Sequence, residues 1–194
     1  MNATLIAITG GIGAGKSVVC KMLAALGYPV YACDSQAKAI MDKSPEIKQR
    51  IAAEIAAEAI AGDTIRRAIL ASVVFNNPAK LQVLNEIVHD HVRKHLGLMA
   101  TQTPHAVLFV ETAILYESHL DEMVSQVWDV TAPEATRISR IVARNGCTPR
   151  QALERINAQN LNPGRPHPAI HRITNDDVTP LLPQVLRQLK LNSL

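Results

Sequence analysis

Strand-like and helix-like segments alternate along the 194 residues, which predicts an α/β chain built on a doubly wound, mostly parallel, five-stranded sheet. The strand candidates are continuous apolar runs with no polar alternation, the pattern of strands buried on both faces of a parallel sheet. A glycine-rich loop stands at the first junction of strand and helix, where such folds place their ligand crevice.

The first strand candidate is 5–9, Leu-Ile-Ala-Ile-Thr. Gly10-Gly11-Ile12-Gly13-Ala14-Gly15-Lys16-Ser17 then fills every fixed position of G-x-x-x-x-G-K-[ST], the loop that cradles phosphates on backbone N–H groups. Behind it Val18, Val19, Met22, Leu23 and Leu26 recur at helical spacing, and Gly27 supplies a C-terminal cap. In that frame Gly11, Ile12, Gly13, Ala14 and Gly15 line a nucleoside triphosphate. Lys16 bridges its outer phosphates, and the Ser17 hydroxyl ligates magnesium.

A second strand candidate, 29–31, precedes Asp34, and a helix runs on through Ala37, Ile40 and Met41. A carboxylate at that strand end either takes the proton of a hydroxyl attacking the γ-phosphate or caps the helix. About 70 residues without a strand pattern follow, far more than a crossover needs, so a helical insertion is expected there. Its expected helices are 47–60, then 63–74 with Asp63 as a possible cap, then 78–98 opened by Asn77-Pro78. His89-Asp90-His91 in the last of these is no metal site, because positions two apart on a helix diverge; a substrate contact or plain exposure remains for the histidines.

The third strand candidate, 106–110, runs into Glu111, with Glu117 six residues on. Either carboxylate can hold magnesium through water or orient a substrate, and for Glu117 a solvated carboxylate at a helix start is the plain alternative. After a fourth strand, 126–130, Pro133 opens a helix with Arg137, Arg140 and Arg144 on one stripe, Arg137 being read as solvent-facing. Thr148-Pro149-Arg150-Gln151 is a capping box for the next helix, and the pair is expected to form a lid over the nucleotide. The loop 162–168 leads to a last strand, 170–173.

Twenty basic against seventeen acidic residues, net +3, is too even a balance to indicate a nucleic-acid partner. Three scattered cysteines form neither a disulfide framework nor a zinc motif, and no run approaches a membrane span or an export signal, so a cytoplasmic protein is expected. One domain is expected: a core of about 1–34, 105–135 and 168–194, an insertion of about 35–100 and a lid of about 136–167.

From Ile6 to about Leu189 the chain resembles dephospho-coenzyme A kinases. Thr9-Gly10-Gly11-Ile12-Gly13 matches their particular phosphate-loop opening, and Asp34 matches the second aspartate of their Asp-x-Asp. Ile87-Val88-His89 matches their Ile-x-His-Pro, and 111–117 parallels their Asp-x-Pro-Leu-Leu-Phe-Glu. Arg140 and Arg144 fall on lid-side arginines, Arg165 and Asn175 near the nucleotide pocket. Ala32, Asp90, Ala113 and Ile170 depart from the family pattern, and Glu111 replaces an aspartate.

The resemblance implies a P-loop kinase that uses MgATP to phosphorylate the ribose 3′-hydroxyl of dephospho-CoA, the last step to coenzyme A. It implies Lys16, Asp34 and Arg140 as catalytic residues and a nucleotide site that includes Arg144 and Asn175. Asp34, His89, Glu111 and Glu117 would serve the acceptor, Ser17 the metal. ATP and dephospho-CoA would be the partners, with no nucleic acid or membrane, as a monomer or a homo-oligomer. From the loop alone, a kinase of another small acceptor and a nucleotide-dependent switch stay open.

Overall fold

β1 (Thr4–Thr9) is the central strand of a sheet ordered β2-β5-β1-β6-β7, in which every pairing is parallel. Its neighbours are β5 (Val107–Glu111) and β6 (Gln126–Thr131), with β2 (Val30–Ala32) and β7 (Ile170–Thr174) at the edges. The expected strands all form, their ends shifted by at most one residue, because their apolar runs must be covered on both faces. The computed structural model describes residues 2–159 and 166–191.

The register aligns the C-terminal strand ends. Ile8 lies beside Glu111, Thr9 beside Asp129, and Ala32 beside Glu111. β2 and β5 lie on one side of β1 and the later β6 and β7 on the other, so the crevice beyond these ends opens where the strand order reverses.

One face of the sheet packs on α1 (Lys16–Ala25) and α8 (Leu181–Leu191). Val19, Leu23, Val185 and Leu189 close on Ile6, Ile8, Phe109, Trp128 and Ile173. Phe109 meets Tyr28 edge-on at 5.6 Å and Trp128 at 5.1 Å between ring centroids, so aromatic contacts link β5 to β6 across β1 and to the residues leading into β2. α1 ends as its sequence predicts: Gly27 has φ 89°, its N–H bonds Ala24 O at 3.1 Å, and Tyr28 N bonds Leu23 O at 3.0 Å.

α6 (Glu134–Asn145) and α7 (Pro149–Asn157) form a helical pair around Ile141, Ala152 and Ile156. Thr148 and Gln151 complete the expected capping box.

Contacts divide the chain into Met1–Ala32 with Ala100–Leu194, and Cys33–Met99. The second unit contains α2 (Cys33–Lys43), α3 (Pro45–Glu54), α4 (Arg67–Phe75) and the greater part of α5 (Pro78–Gln102). Ile47, Ile51, Ile55, Leu70, Val74 and Ile87 are its core.

Three expectations fail inside this unit. α3 stops at Glu54 rather than running to residue 60, since Ile55 and Ala56 leave helical geometry and turn their side chains into the core. Burial there overrides the helical preference of an alanine-rich run.

A small hairpin, β3 (Ile60–Ala61) and β4 (Thr64–Ile65), stands where no strand was expected. Asp63 consequently lies in the hairpin turn, not at a helix start. Its carboxylate accepts from the buried Lys48 ammonium at 2.5 Å, and α4 begins only at Arg67. At α5 the expected cap forms, with Lys80 N donating to Asn77 Oδ1 at 3.1 Å; the helix continues four residues past the expected end.

Candidate active site

The chain leaves β1 at Thr9 and enters α1 at Lys16, with three glycines on the way at positive φ: Gly10 at 135°, Gly13 at 80° and Gly15 at 95°. Gly10 passes against β6 so closely that a Cβ there would run into Val130 O. Gly15 is the N-cap of α1, and no acidic residue occupies that helix's first turn, leaving its positive end open to an anion. Lys16 Nζ reaches back to Gly10 O at 2.8 Å and Gly11 O at 3.4 Å, arching over the loop. Ser17 is exposed in the first turn of α1.

The loop's carbonyls are gripped from outside. Arg137 Nε donates to Ile12 O at 2.8 Å. Arg140 Nη1 donates to Gly13 O and Ala14 O at 3.3 and 3.2 Å, and Asn175 Nδ2 donates to Ala14 O at 2.9 Å. In a planar trans peptide the N–H opposes the C=O, so these three grips turn the N–H groups of Gly13, Ala14 and Gly15 away from the arginines. Ala14 N–H closes a turn on Gly11 O at 3.1 Å, while those of Gly13 and Gly15 lie opposite the gripped carbonyls. Ile12 differs from its neighbours, because its N–H is taken by Gln159 Oε1 at 2.7 Å and its side chain packs into the α6–α7 core.

Arg137 is therefore no solvent-facing member of a stripe. It lies beneath the loop, where a Cβ on Gly11 would collide with its Nη2, and that Nη2 is buried without a hydrogen-bond partner among the described residues. Burial lowers the pKa of this guanidinium, with Glu134 opposing the shift. Spacing places Arg137 on α6 but does not show that it turns to the loop.

Arg140 also bonds Asn175 O at 3.0 Å and pairs with Asp177 at 2.5 Å. Arg144 is exposed in the last turn of α6, with Nε bonded to Asn145 Oδ1 at 3.1 Å. Arg165 lies outside the described residues.

Across the sheet, Glu111 ends β5. Burial pushes the Cys20 thiol up to about 12, Glu111 pushes in the same direction and Lys16 opposes both, so Glu111 and Lys16 act on one point of α1. Glu117 sits in a series of turns, with no helix beginning there. It lines a cleft of about 260 Å³ together with Gly10, Gly11, Tyr116, Asp129 and Arg137. Ile170 lines the same cleft from the edge strand.

Asp129 carries no motif and was missed. It is half-buried on β6 beside Arg172, and burial raises its carboxyl pKa against the pull of Arg172 and Lys16. Gln159 was also missed; its Nε2 donates to Ala113 O at 3.2 Å while its Oε1 holds Ile12.

In the other unit, Asp34 is exposed in the first turn of α2, two residues beyond the end of β2. His89 is half-buried on α5. The neighbouring Asp90 pairs with Lys94 at 2.8 Å, and His91 Nδ1 meets Ile87 O at 2.8 Å. Among the described residues no group of three or more His, Cys, Asp or Glu could hold a metal ion, and no helix is long and apolar enough to cross a membrane.

The family model described as dephospho-CoA kinase matches residues 4–180. A dephospho-CoA kinase of Porphyromonas gingivalis is 34% identical over 94% of this chain and 91% of its own length. One from Thermus thermophilus is 34% identical over 80% of this chain and 74% of its own. The crystal structure of TT1252 from Thermus thermophilus superposes with a TM-score of 0.77 at 31% identity, covering 100% of this chain and 97% of that one. Shikimate kinase from Acinetobacter baumannii, at 14% identity and a TM-score of 0.52 over 98% and 94% of the two chains, shares the fold alone. Sheet order, phosphate cradle and these matches over nearly the whole length agree, and the chain belongs to the dephospho-CoA kinase family.

Proposed function

We propose that this chain transfers the γ-phosphoryl group of ATP to the ribose 3′-hydroxyl of dephospho-CoA, yielding coenzyme A and ADP. The observation that carries the phosphoryl-transfer part is the loop whose carbonyls are held by Arg137, Arg140 and Asn175, which leaves the Gly13 and Gly15 N–H on the opposite side for phosphate. Family membership supports the choice of acceptor.

On this reading Gly11, Gly13, Ala14, Gly15 and Lys16 hold the phosphates, and Ile12 contributes by fixing the loop's shape. Lys16 neutralises charge on the transferring group once its ammonium leaves Gly10 O for phosphate oxygen. Arg140, Arg144 and Asn175 serve the nucleotide, Arg140 placing its charge behind the loop it grips. The Asp34 carboxylate takes the 3′-hydroxyl proton as that oxygen bonds to phosphorus and the bond to ADP breaks. His89, Glu111 and Glu117 bind or orient the acceptor. Residues 35–100 serve as the acceptor side and about 136–167, of which 160–165 lie outside the described residues, as the lid.

The donor set suits magnesium, a hard cation that keeps much of its water: the Ser17 hydroxyl is exposed at the loop's end and the Glu111 carboxylate ends the adjacent strand. Ser17 would hold the ion, which would screen charge on the phosphates when bound. The three free cysteines suit a cytoplasmic enzyme.

ADP release with MgATP tests the proposal against a panel of acceptors. Stimulation by dephospho-CoA, and not by nucleosides or shikimate, is expected. Stimulation by a different acceptor alone would overturn it.

A further inference from the structure

Ile12 is held three ways, by the helical pair and by the turn that follows α7. Gln159 takes its N–H at 2.7 Å, Arg137 takes its carbonyl at 2.8 Å, and its side chain joins Ile138, Ile141 and Ile156. The residues concerned are far apart in sequence, 147 positions for Gln159 and 125 for Arg137, so these contacts exist only in the assembled fold. Gln159 does more than anchor the loop, because the other end of its amide donates to Ala113 O at 3.2 Å.

Ala113 belongs to the stretch between Glu111 and Glu117, which leaves β5 on the other flank of β1's C-terminal end. One planar amide thus spans from the phosphate loop to the acidic loop, accepting from the first and donating to the second. A glutamine suits this task, since its amide carries an acceptor and a donor on one rigid group. Gln159 is itself fixed: its N–H bonds Ile156 O at 3.3 Å, and Ile156 is buried in the α6–α7 core.

We propose that Gln159 is a positioning residue that couples the two ligands. By joining Ile12 to Ala113 it lets nucleotide on the phosphate loop favour the arrangement of the acidic loop that binds the acceptor. The inference rests on the reading of dephospho-CoA as acceptor. The coupling is a ratio of affinities, and linkage requires it to act equally in both directions.

The test is calorimetric titration of dephospho-CoA into the full chain, with and without a saturating non-hydrolysable ATP analogue, for wild type, Gln159→Met and Gln159→Glu. Gln159→Met keeps length and removes both bonds; Gln159→Glu keeps an acceptor for Ile12 N–H and loses the donor to Ala113. Wild type is expected to bind dephospho-CoA at least about fivefold more tightly with nucleotide present. In both variants that factor should fall to within about twofold of unity while each ligand still binds alone. Thermal unfolding checks that the variants are folded. If nucleotide still tightens acceptor binding as much in Gln159→Glu as in wild type, Gln159 does not couple the loops. Parallel loss of both single-ligand affinities with the factor intact would mark Gln159 as a structural prop and also overturn the inference. A wild type that binds dephospho-CoA equally with and without nucleotide overturns the inference and leaves the acceptor reading standing; one that does not bind it overturns both.

Discussion

Gly15→Ala tests the grip on the phosphate loop quantitatively. Gly15 has φ 95°, and an alanine there would incur roughly 1–2 kcal/mol of left-handed strain. Its Cβ would collide with Asn175 Nδ2 and lie 3.5 Å from Arg140 Nη1. Asn175 must then move, giving up its 2.9 Å bond to Ala14 O, worth about 1 kcal/mol for a neutral pair at a buried position.

The total of about 2–3 kcal/mol appears as lost stability if the loop keeps its shape, and as lost nucleotide affinity if the loop relaxes. In the second case the Kd for MgATP rises roughly 30- to 150-fold. Isothermal titration with MgATP and thermal unfolding measure the two parts. Gly146→Ala is the control, at φ 64° with no atom of the described residues within 4 Å of the added Cβ; it carries the strain without the collision and should leave MgATP affinity unchanged. The reasoning is refuted if Gly15→Ala binds MgATP within about threefold of wild type and unfolds no earlier than Gly146→Ala.

Three further outcomes are expected. Lys16→Ala should nearly abolish turnover in a coupled ADP assay, because the cation that arches over the loop is gone. Asp34→Asn should lower kcat while MgATP affinity stays near wild type, and unchanged turnover would remove Asp34 as the base. Asp129→Asn should raise Tm at pH 7. Burial lifts the folded carboxyl above its unfolded value of 3.8, so the folded state disfavours the charge, and wild-type stability falls as pH rises through that window. The variant's advantage should therefore vanish below about pH 3 and be complete at neutral pH, as read by unfolding at a series of pH values.

The sheet was legible because its signal is local: an apolar run such as Val107-Leu108-Phe109-Val110 needs cover on both faces wherever it goes. The phosphate loop was legible for a similar reason, each glycine being demanded by its own backbone angle or a close neighbour. What escaped depends on distant partners. Spacing placed Arg137 on a stripe but could not show that Ile12 O, 125 positions away, lies against it. Gln159 and Asp129 belong to no motif, and their surroundings come from strands and loops that only the fold assembles. The β3–β4 hairpin escaped for the opposite reason, since strands of two residues are too short to display an alternation.

The most direct measurement is the mass of the acceptor after incubation of the purified chain with MgATP and dephospho-CoA, alongside ADP release. The account predicts that dephospho-CoA gains one phosphate on its ribose, in step with the ADP formed and only when both substrates are present. ADP formation at the same rate without the acceptor, with dephospho-CoA recovered unchanged, would contradict it.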